Sequence, residues 1–378
     1  MKKLAVLGST GSIGKNTLKV ARRFQGELRI TALAAHSNID LLEKQALEFR
    51  PEIVGVFDKE KAFVLQKRLS SCKVLGGAEG ICALAAHDHV DLVVSSIVGM
   101  AGLLPTASAI KSGKDLALAN KEVLVSAGSF IMPLVKKHGI QLLPIDSEHN
   151  AIFQCLYGED FEEVRRIILT ASGGPFRDFS LEDLKGATIE QALKNPNWEM
   201  GPKVSIDSST LMNKGLEMIE AHWLFGLDPK RIDVVIHKQS VIHSMVEFCD
   251  GSIKAQMNKP DMINPIQHAI MYPKRYSSMF PPFSFEEYST LHFSKPDFKK
   301  FPCLNLAYQA VEKGGSLPCY MNAVNEVLVN RFLEKEIAWW DIANKLEFLM
   351  LKHEVKEGLS LEDLLVVDEL AREEAKAI

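Results

Sequence analysis

Between residue 1 and about residue 145, short apolar runs alternate with amphipathic helical stretches, and this rhythm restricts the fold more than any other property of the chain. The runs are Leu4–Leu7, Ile30–Ala35, Ile53–Phe57, Leu92–Val94, Leu116–Ala119 and Ile140–Leu143. Strands joined through helices lie parallel, because a parallel pair needs a crossover that a tight turn cannot supply. The expected core of this region is therefore a parallel sheet built from βαβ units. After Asn150 the rhythm stops: connections lengthen and become rich in Gly, Pro, Ser and Asn, and the strand runs Val234–Ile236 and Ser252–Ala255 read as antiparallel. From 272 to 302 Pro, Phe and Tyr are frequent and no period persists, the mark of a long connection. Helices are expected near 320–334, 337–353 and 360–376, the last opened by the capping box Ser360-Leu361-Glu362-Asp363.

The first run leads directly into Gly8-Ser9-Thr10-Gly11-Ser12-Ile13-Gly14, which places three glycines between a strand and a helix. Backbone N–H groups at such a junction meet a pyrophosphate with the helix dipole behind them. At the end of the second strand, where an acidic residue would bind ribose hydroxyls, the chain has His36-Ser37-Asn38. Uncharged donors there suit a 2′-phosphate, so NADPH is the expected dinucleotide. The fold class is then α/β. It comprises a Rossmann-like NADP-binding domain over 1–145, a central α+β catalytic domain over 146–274, a connecting segment over 275–301 and a C-terminal helical bundle over 302–378. The length of 378 residues is ample for such a division.

Composition narrows the partners. Hydrophobic residues make up 47% and charged residues 24%, typical of a globular chain, and the net charge of −4 comes without a sustained Lys/Arg stripe. Nucleic acid and anionic membrane are thereby disfavoured and a small molecule favoured. Six scattered cysteines, at 72, 82, 155, 249, 303 and 319, contain no CxxC pair and suit a reducing cytoplasm. Met1-Lys2-Lys3 precedes an apolar run that Gly8 cuts short, so no export signal is expected. The uncharged stretch Leu92–Ile110 contains Gly99, Gly102 and Pro105 and reads as strand, turn and helix rather than a membrane span.

Oxygen ligands follow the last strand of the first region, in Pro144-Ile145-Asp146-Ser147-Glu148-His149-Asn150. A second acidic group lies in Asp207 to Glu220, whose spacing places Asn213, Glu217 and Glu220 on one helical face. Asp146, Glu148 and Glu217 offer only oxygen, a set that suits Mg²⁺ or Mn²⁺ better than Zn²⁺. Two further segments have the composition of anion sites. Thr170-Ala171-Ser172-Gly173-Gly174 is a glycine turn after a strand, and Ser208-Ser209-Thr210 is expected to open the helix that carries Asn213 and Lys214.

With these segments in order, the chain closely resembles the 1-deoxy-D-xylulose 5-phosphate reductoisomerase family almost from end to end. The match is carried by Gly8 to Gly14, Leu118-Ala-Asn-Lys-Glu122, Pro144 to Gln154, Ser172 to Phe176, Pro196 to Gly201, Asp207 to Glu217 and Asn322 to Glu326. The resemblance implies an NADPH- and divalent-metal-dependent rearrangement and reduction of 1-deoxy-D-xylulose 5-phosphate to 2-C-methyl-D-erythritol 4-phosphate, the committed step of the methylerythritol phosphate route to isoprenoids. It implies that Asp146, Glu148 and Glu217 bind the metal and act in catalysis with Lys121, and that Glu220 stands behind them. Ser147, Glu148, Ser172, Asn195, Trp198, Ser208, Asn213, Lys214 and Glu217 would contact substrate. Thr10, Gly11, Ser12, Ile13, His36, Ser37, Asn38, Asn120, Lys121, Glu122 and Gly201 would contact cofactor. A homodimer is implied as well.

The loop near 195–202 reads as a lid, because its prolines and glycine forbid a regular helix while Trp198 offers a broad face. Asn195 stands where the family usually has histidine, so no proton transfer is expected at that position. Lys121 has a second reading, as the partner of Glu122 or another acid. Two other functions remain open at this stage: an NADP-dependent semialdehyde or aldehyde dehydrogenase using Cys155 as nucleophile, and a non-catalytic NADP(H)-sensing module.

Overall fold

The computed structural model describes residues 1–70, 72–194 and 200–378, and the chain divides into two compact units. The first comprises Met1–Val123, Ile131–Asn150 and Met262–Pro281. Its seven strands are β1 (Lys2–Leu7), β2 (Leu28–Ala35), β3 (Ile53–Val56), β4 (Lys73–Gly76), β5 (Leu92–Ser95), β6 (Asp115–Leu118) and β7 (Leu142–Pro144). They form a sheet in the order β4-β3-β2-β1-β5-β6-β7, every pair parallel. All six expected runs are strands. The unexpected strand is β4, an edge strand whose first residue is exposed and whose others are only half-buried. A four-residue edge strand that is not fully buried leaves little periodic signal.

Two helices of this unit start on side-chain caps. Asn38 Oδ1 accepts from the Leu41 N–H at 3.2 Å, and Asp58 Oδ1 accepts from the N–H groups of Glu60 and Lys61. The helix Ile263–Met271, remote in sequence, packs on the helix Ser12–Arg23. Lys2 Nζ secures it by donating to the carbonyls of Ile270 and Tyr272 at 3.1 and 2.9 Å. The stretch Leu92–Ile110 is strand, 3-10 turn and helix, as its glycines and proline require. Among the described residues no helix is long and apolar enough to cross a membrane.

The second unit comprises Leu124–Phe130, Ala151–Asp261 and Pro282–Ile378. The expected partition at 145, 274 and 301 follows changes of structural type along the chain, whereas the compact units cut across it. In the second unit β8 (Val164–Ala171), β9 (Ile232–His237), β10 (Ile242–Phe248), β11 (Ile253–Met257) and β12 (Phe293–Ser294) form a sheet ordered β11-β10-β8-β9-β12. β11, which holds most of the run Ser252–Ala255, is antiparallel to β10 as expected, and β10 is antiparallel to β8. The run Val234–Ile236 departs from expectation because β9 lies parallel to β8. The helices between Ala171 and Ile232 form the crossover that permits parallel pairing.

The C-terminal helices are Leu317–Leu333, Trp339–Lys352 and Leu361–Ala377, preceded by Pro302–Lys313. Ser360 and Asp363 make the expected capping box, with the Asp363 N–H donating to Ser360 Oγ at 3.2 Å and the Ser360 N–H to Asp363 Oδ2 at 2.9 Å. Helix Pro302–Lys313 packs against Met212–Phe225, where Gly215 faces Ala307. A Cβ at Gly215 would lie 2.5 Å from the Ala307 Cβ, which has no flexibility to give way. Gly215→Ala would gain about 1 kcal/mol of helix propensity, set against an overpacking cost of about 1–3 kcal/mol. A melting temperature lowered by a few degrees in calorimetry is the expected outcome.

Candidate functional site

The reversal of strand order in the first sheet lies between β1 and β5, and the glycine loop leaves the carboxyl end of β1 there. Gly8 has φ +87°, and a Cβ on it would stand 2.6 Å from the Ser96 carbonyl oxygen. At Gly14 a Cβ would lie 2.3 Å from the Gly8 carbonyl oxygen. Both glycines are therefore required by backbone approach, and the loop folds tightly onto the first turn of Ser12–Arg23. No side chain caps that helix at Gly11, so its first N–H groups point toward the loop as an anion cradle. Thr10, Gly11, Ser12 and Ile13 line this turn, with Gly11 and Ser12 exposed.

Ser9 and Gln45 hold the loop from beneath, a role sequence reasoning did not find. Ser9 Oγ donates to Gln45 Oε1 at 2.7 Å, and Gln45 Nε2 donates to the Ser9 carbonyl at 2.9 Å. The available signal was a glutamine on the buried face of Ile39–Phe49, beside Leu42 and Ala46. His36, Ser37 and Asn38 follow β2 as expected. His36 stacks on Phe57 with ring centroids 5.2 Å apart, while Asn38 spends its side-chain oxygen on the helix cap. Asp40, the acid nearest this end of the strand, pairs with Arg68 at 2.7 Å.

Lys121 and Asp146 meet at the carboxyl ends of β6 and β7. Ile145 extends the β7 pairing, its N–H donating to the Leu118 carbonyl at 2.9 Å, and so carries Asp146 beside the start of the helix Lys121–His138. The Lys121 ammonium pairs with Asp146, which settles the identity of its acidic neighbour. Asn120 is buried and braces the preceding loop, donating to the carbonyls of Ile97 and Gly99. Glu122 is buried too. Ser147 Oγ donates to Glu148 Oε2 at 2.7 Å, and His149 lies wholly buried in Ser147–Cys155. Asn150 Nδ2 donates to the Pro144 carbonyl at 2.9 Å and lies 3.2 Å from His268 Nδ1, tying the acidic turn to the helix Ile263–Met271. Burial pushes His268 down to about 4, so this tie is a neutral imidazole at physiological pH.

The second unit builds its own polar cluster. The expected opening of the Asn213 helix by Ser208-Ser209-Thr210 does not occur: these residues end a separate helix, Pro202–Ser209, and the next begins at Met212. Between them Leu211 adopts a left-handed conformation, φ +59°. That conformation costs a non-glycine residue about 1–2 kcal/mol, and the break redirects the chain so that Asn213, Lys214 and Glu217 share one face. Lys214 pairs with Glu217 Oε2, and Asn213 Nδ2 donates to Glu217 Oε1. Lys214 is 4% exposed and Glu217 1%. Glu220 is buried on the same helix.

The glycine turn after β8 and the helix Pro202–Ser209 come together. Gly173 and Gly174 have φ +83° and +67°, the Gly174 N–H donates to Ser172 Oγ at 3.2 Å, and a Cβ on Gly174 would lie 2.5 Å from the Ser208 carbonyl oxygen. Ser172 and Ser208 thus belong to adjoining backbone. Lys203, Asp207 and Asn325, not singled out in the sequence, fasten this helix: Lys203 pairs with Asp207 at 2.9 Å, and Asn325 Nδ2 donates to Asp207 Oδ1 at 2.8 Å. Trp339 Nε1 donates to Ser209 Oγ at 2.8 Å. Gly201 is exposed at the start of the helix. Asn195 and Trp198 lie outside the described residues.

His237 ends β9 and His243 lies in β10. His237 stacks on Phe293 and donates from Nδ1 to the His292 carbonyl at 3.0 Å, and burial lowers its pKa. Cys155 is buried in a helix, and burial pushes its thiol up to about 11, which removes the nucleophile that a dehydrogenase reading needs.

Comparison with known proteins gives one family throughout. Its family models match residues 4–128, described as 1-deoxy-D-xylulose 5-phosphate reductoisomerase, and residues 142–225 and 257–374, described as C-terminal domains of the same enzyme. The reductoisomerase of Protochlamydia amoebophila is 59% identical over 99% of this chain and 98% of its own length. That of Chlorobium limicola is 50% identical over the full length of both. Among solved structures, the Zymomonas mobilis enzyme in complex with NADPH aligns with a TM-score of 0.94 at 42% identity, covering 100% of this chain and 98% of that one. A reductoisomerase in complex with NADPH, fosmidomycin and magnesium also gives 0.94, at 40% identity and with the same coverage.

The cysteines supply a direct check on the site chemistry. Brief treatment with iodoacetamide at pH 8 should alkylate the exposed Cys249 while Cys155 stays unmodified until the protein is unfolded, as read by peptide mass spectrometry.

Proposed function

The chain belongs to the 1-deoxy-D-xylulose 5-phosphate reductoisomerase family, and we propose that Asp146, Glu148 and Glu217 hold the divalent cation on which its reaction depends. That reaction is the NADPH- and metal-dependent rearrangement and reduction of 1-deoxy-D-xylulose 5-phosphate to 2-C-methyl-D-erythritol 4-phosphate, in the methylerythritol phosphate route to isoprenoids. The observation that carries the site assignment is a buried or half-buried carboxylate with an ammonium against it in each unit, Asp146 with Lys121 and Glu217 with Lys214. Carboxylate oxygens in surroundings that already seat positive charge fit Mg²⁺ or Mn²⁺. The glycine cradle at Gly8 and Gly14, where side chains have no room, fits the pyrophosphate of NADPH.

When bound, the cation supplies Lewis acidity at the substrate's ketone and neighbouring hydroxyl, and NADPH supplies hydride. The chain's own groups bind and orient. Ser172, Ser208, Asn213 and Lys214 hold the phosphate and hydroxyls with Ser147, and this anchoring keeps the rearranged aldehyde in place until it is reduced. Lys121 steadies negative charge developing on oxygen, and Glu220 stands behind the metal ligands. Thr10 to Ile13, His36, Ser37, Asn38, Asn120, Lys121, Glu122 and Gly201 contact the cofactor. Asn195 and Trp198 cover the substrate, and Asn195 acts as a hydrogen-bond donor without proton transfer.

The assembly proposed is a cytoplasmic homodimer. It is supported by the open edge of the second sheet, where β11 pairs on one side only and Ile253 is exposed, and by six free thiols suited to a reducing compartment. Light scattering on a sizing column should give twice the 42.0 kDa chain mass. A monomer would remove the dimer from the proposal.

The activity test follows NADPH absorbance with 1-deoxy-D-xylulose 5-phosphate and Mg²⁺ or Mn²⁺. Oxidation should yield methylerythritol phosphate and cease on chelation. Glu217→Gln should lower turnover by about 100-fold or more with NADPH affinity unchanged; unaltered turnover would exclude Glu217 from the metal ligands.

A further inference from the structure

A second group of metal-ligating side chains stands in the first unit, at the end of the sheet where the strands begin and therefore opposite the glycine loop. Glu52 immediately precedes β3, and His87 and His89 occupy the turn before β5, closed by the Val90 N–H donating to the His87 carbonyl at 3.1 Å. One ligand atom from each of the three lies within 4.8 Å of the other two. His89 Nδ1 is 2.6 Å from Glu52 Oε2. His87 Nδ1 accepts the His89 backbone N–H at 3.2 Å, a long bond that shows its lone pair is turned toward the His89 segment. The two imidazoles meet edge to face, centroids 5.5 Å apart.

The plain structural role of this cluster is a surface hydrogen bond. That explains the His89 contact with Glu52, and the 3.4 Å contact of Glu52 Oε1 with Arg29 keeps the other carboxylate oxygen engaged. The second imidazole adds a bond within the turn, from the His89 N–H to His87 Nδ1, and so brings a second ring nitrogen donor to the same place. The His89 side chain is 61% exposed and Glu52 31%, so solvent ions have direct access. Exposure also gives the His89 ring freedom to rotate inward, as tetrahedral ligands about 2.0–2.2 Å from an ion stand roughly 3.3–3.5 Å apart.

We propose that Glu52, His87 and His89 form a second cation site, taking a borderline transition ion of the Zn²⁺, Ni²⁺ or Cu²⁺ class. Two imidazole nitrogens and one carboxylate oxygen are a set such ions prefer and Mg²⁺ does not. The ion takes the place of the proton between His89 Nδ1 and Glu52, that proton residing on His89 Nε2 in the bound neutral imidazole while any second proton passes to water, and water completes the coordination. The hydrogen bond from His89 already holds the Glu52 carboxyl below the usual carboxylate range, so the oxygen is ionised and ready to ligate. Loading would tie the start of β3 to the start of β5 across β2 and β1, bracing the nucleotide-binding sheet from the end away from its cofactor loop. The site is separate from the reaction chemistry, and among the described residues its ligands make no hydrogen bond or ion pair with those assigned to substrate or cofactor.

The test uses the full chain in millimolar Mg²⁺, which fills the carboxylate-rich site, and titrates Zn²⁺ by calorimetry against His89→Ala and Glu52→Gln. The wild type should bind one Zn²⁺ more than either variant, or bind it at least about tenfold more tightly. Electron paramagnetic resonance of the Cu²⁺-loaded protein should show coordination by two nitrogens that His89→Ala reduces. Unchanged melting temperatures of the variants without added Zn²⁺ establish that they fold. Identical titrations of wild type and variants, or a copper spectrum unaffected by His89→Ala, would overturn the proposal.

Discussion

A carboxylate removed from water needs a positive charge close by, and both units of this protein meet that requirement with a lysine of their own. Lys121 faces Asp146 at the carboxyl edge of the parallel sheet, and Lys214 faces Glu217 one helical turn away. An isolated charge buried in such surroundings would cost several kcal/mol. The pairs orient the acids, as a divalent cation requires of its ligands. They also explain why the supporting structure is so heavily hydrogen-bonded. Asn150 fastens the Asp146 turn, while Asp207, Asn325 and Trp339 fasten the helix before Glu217.

Close backbone approach is the second constraint. Gly8 against Ser96 and Gly14 against Gly8 compress the nucleotide loop until only main-chain atoms fit, leaving amides exposed to a phosphate. Gly174 against Ser208 does the same in the second unit, joining two segments separated by more than thirty residues of chain into one polar surface. The left-handed Leu211 belongs with these features. Its backbone strain sits between the serines and the Asn213 helix, where strained residues concentrate when a site demands a particular direction of chain.

What the sequence made legible followed from local periodicity and local chemistry. Continuous apolar runs identified the five inner strands and the edge strand β7, because both faces of a parallel sheet are buried, and the Ser360 box marked a helix start that the structure reproduces to the residue. The carboxylates, glycines and hydroxyls of the candidate site were found because residue type declares their chemistry. β4 escaped, since an exposed edge strand has no apolar period. The direction of β9 escaped as well, because its residues read alike in either orientation and only the path of the intervening helices makes it parallel to β8.

The sequence by itself determined the fold class, the family, and the residues that can ligate, donate or accept. It could do so because burial patterns and functional groups are properties of short segments. Tertiary structure alone decided which partner each group takes: that Lys121 chooses Asp146, that Gln45 supports Ser9, that Asn38 caps a helix, and that Glu52 meets His87 and His89. It also decided that the Asp207 to Glu220 stretch is two helices rather than one. Such pairings depend on distances between segments remote along the chain, and those distances are set by packing that no local pattern encodes.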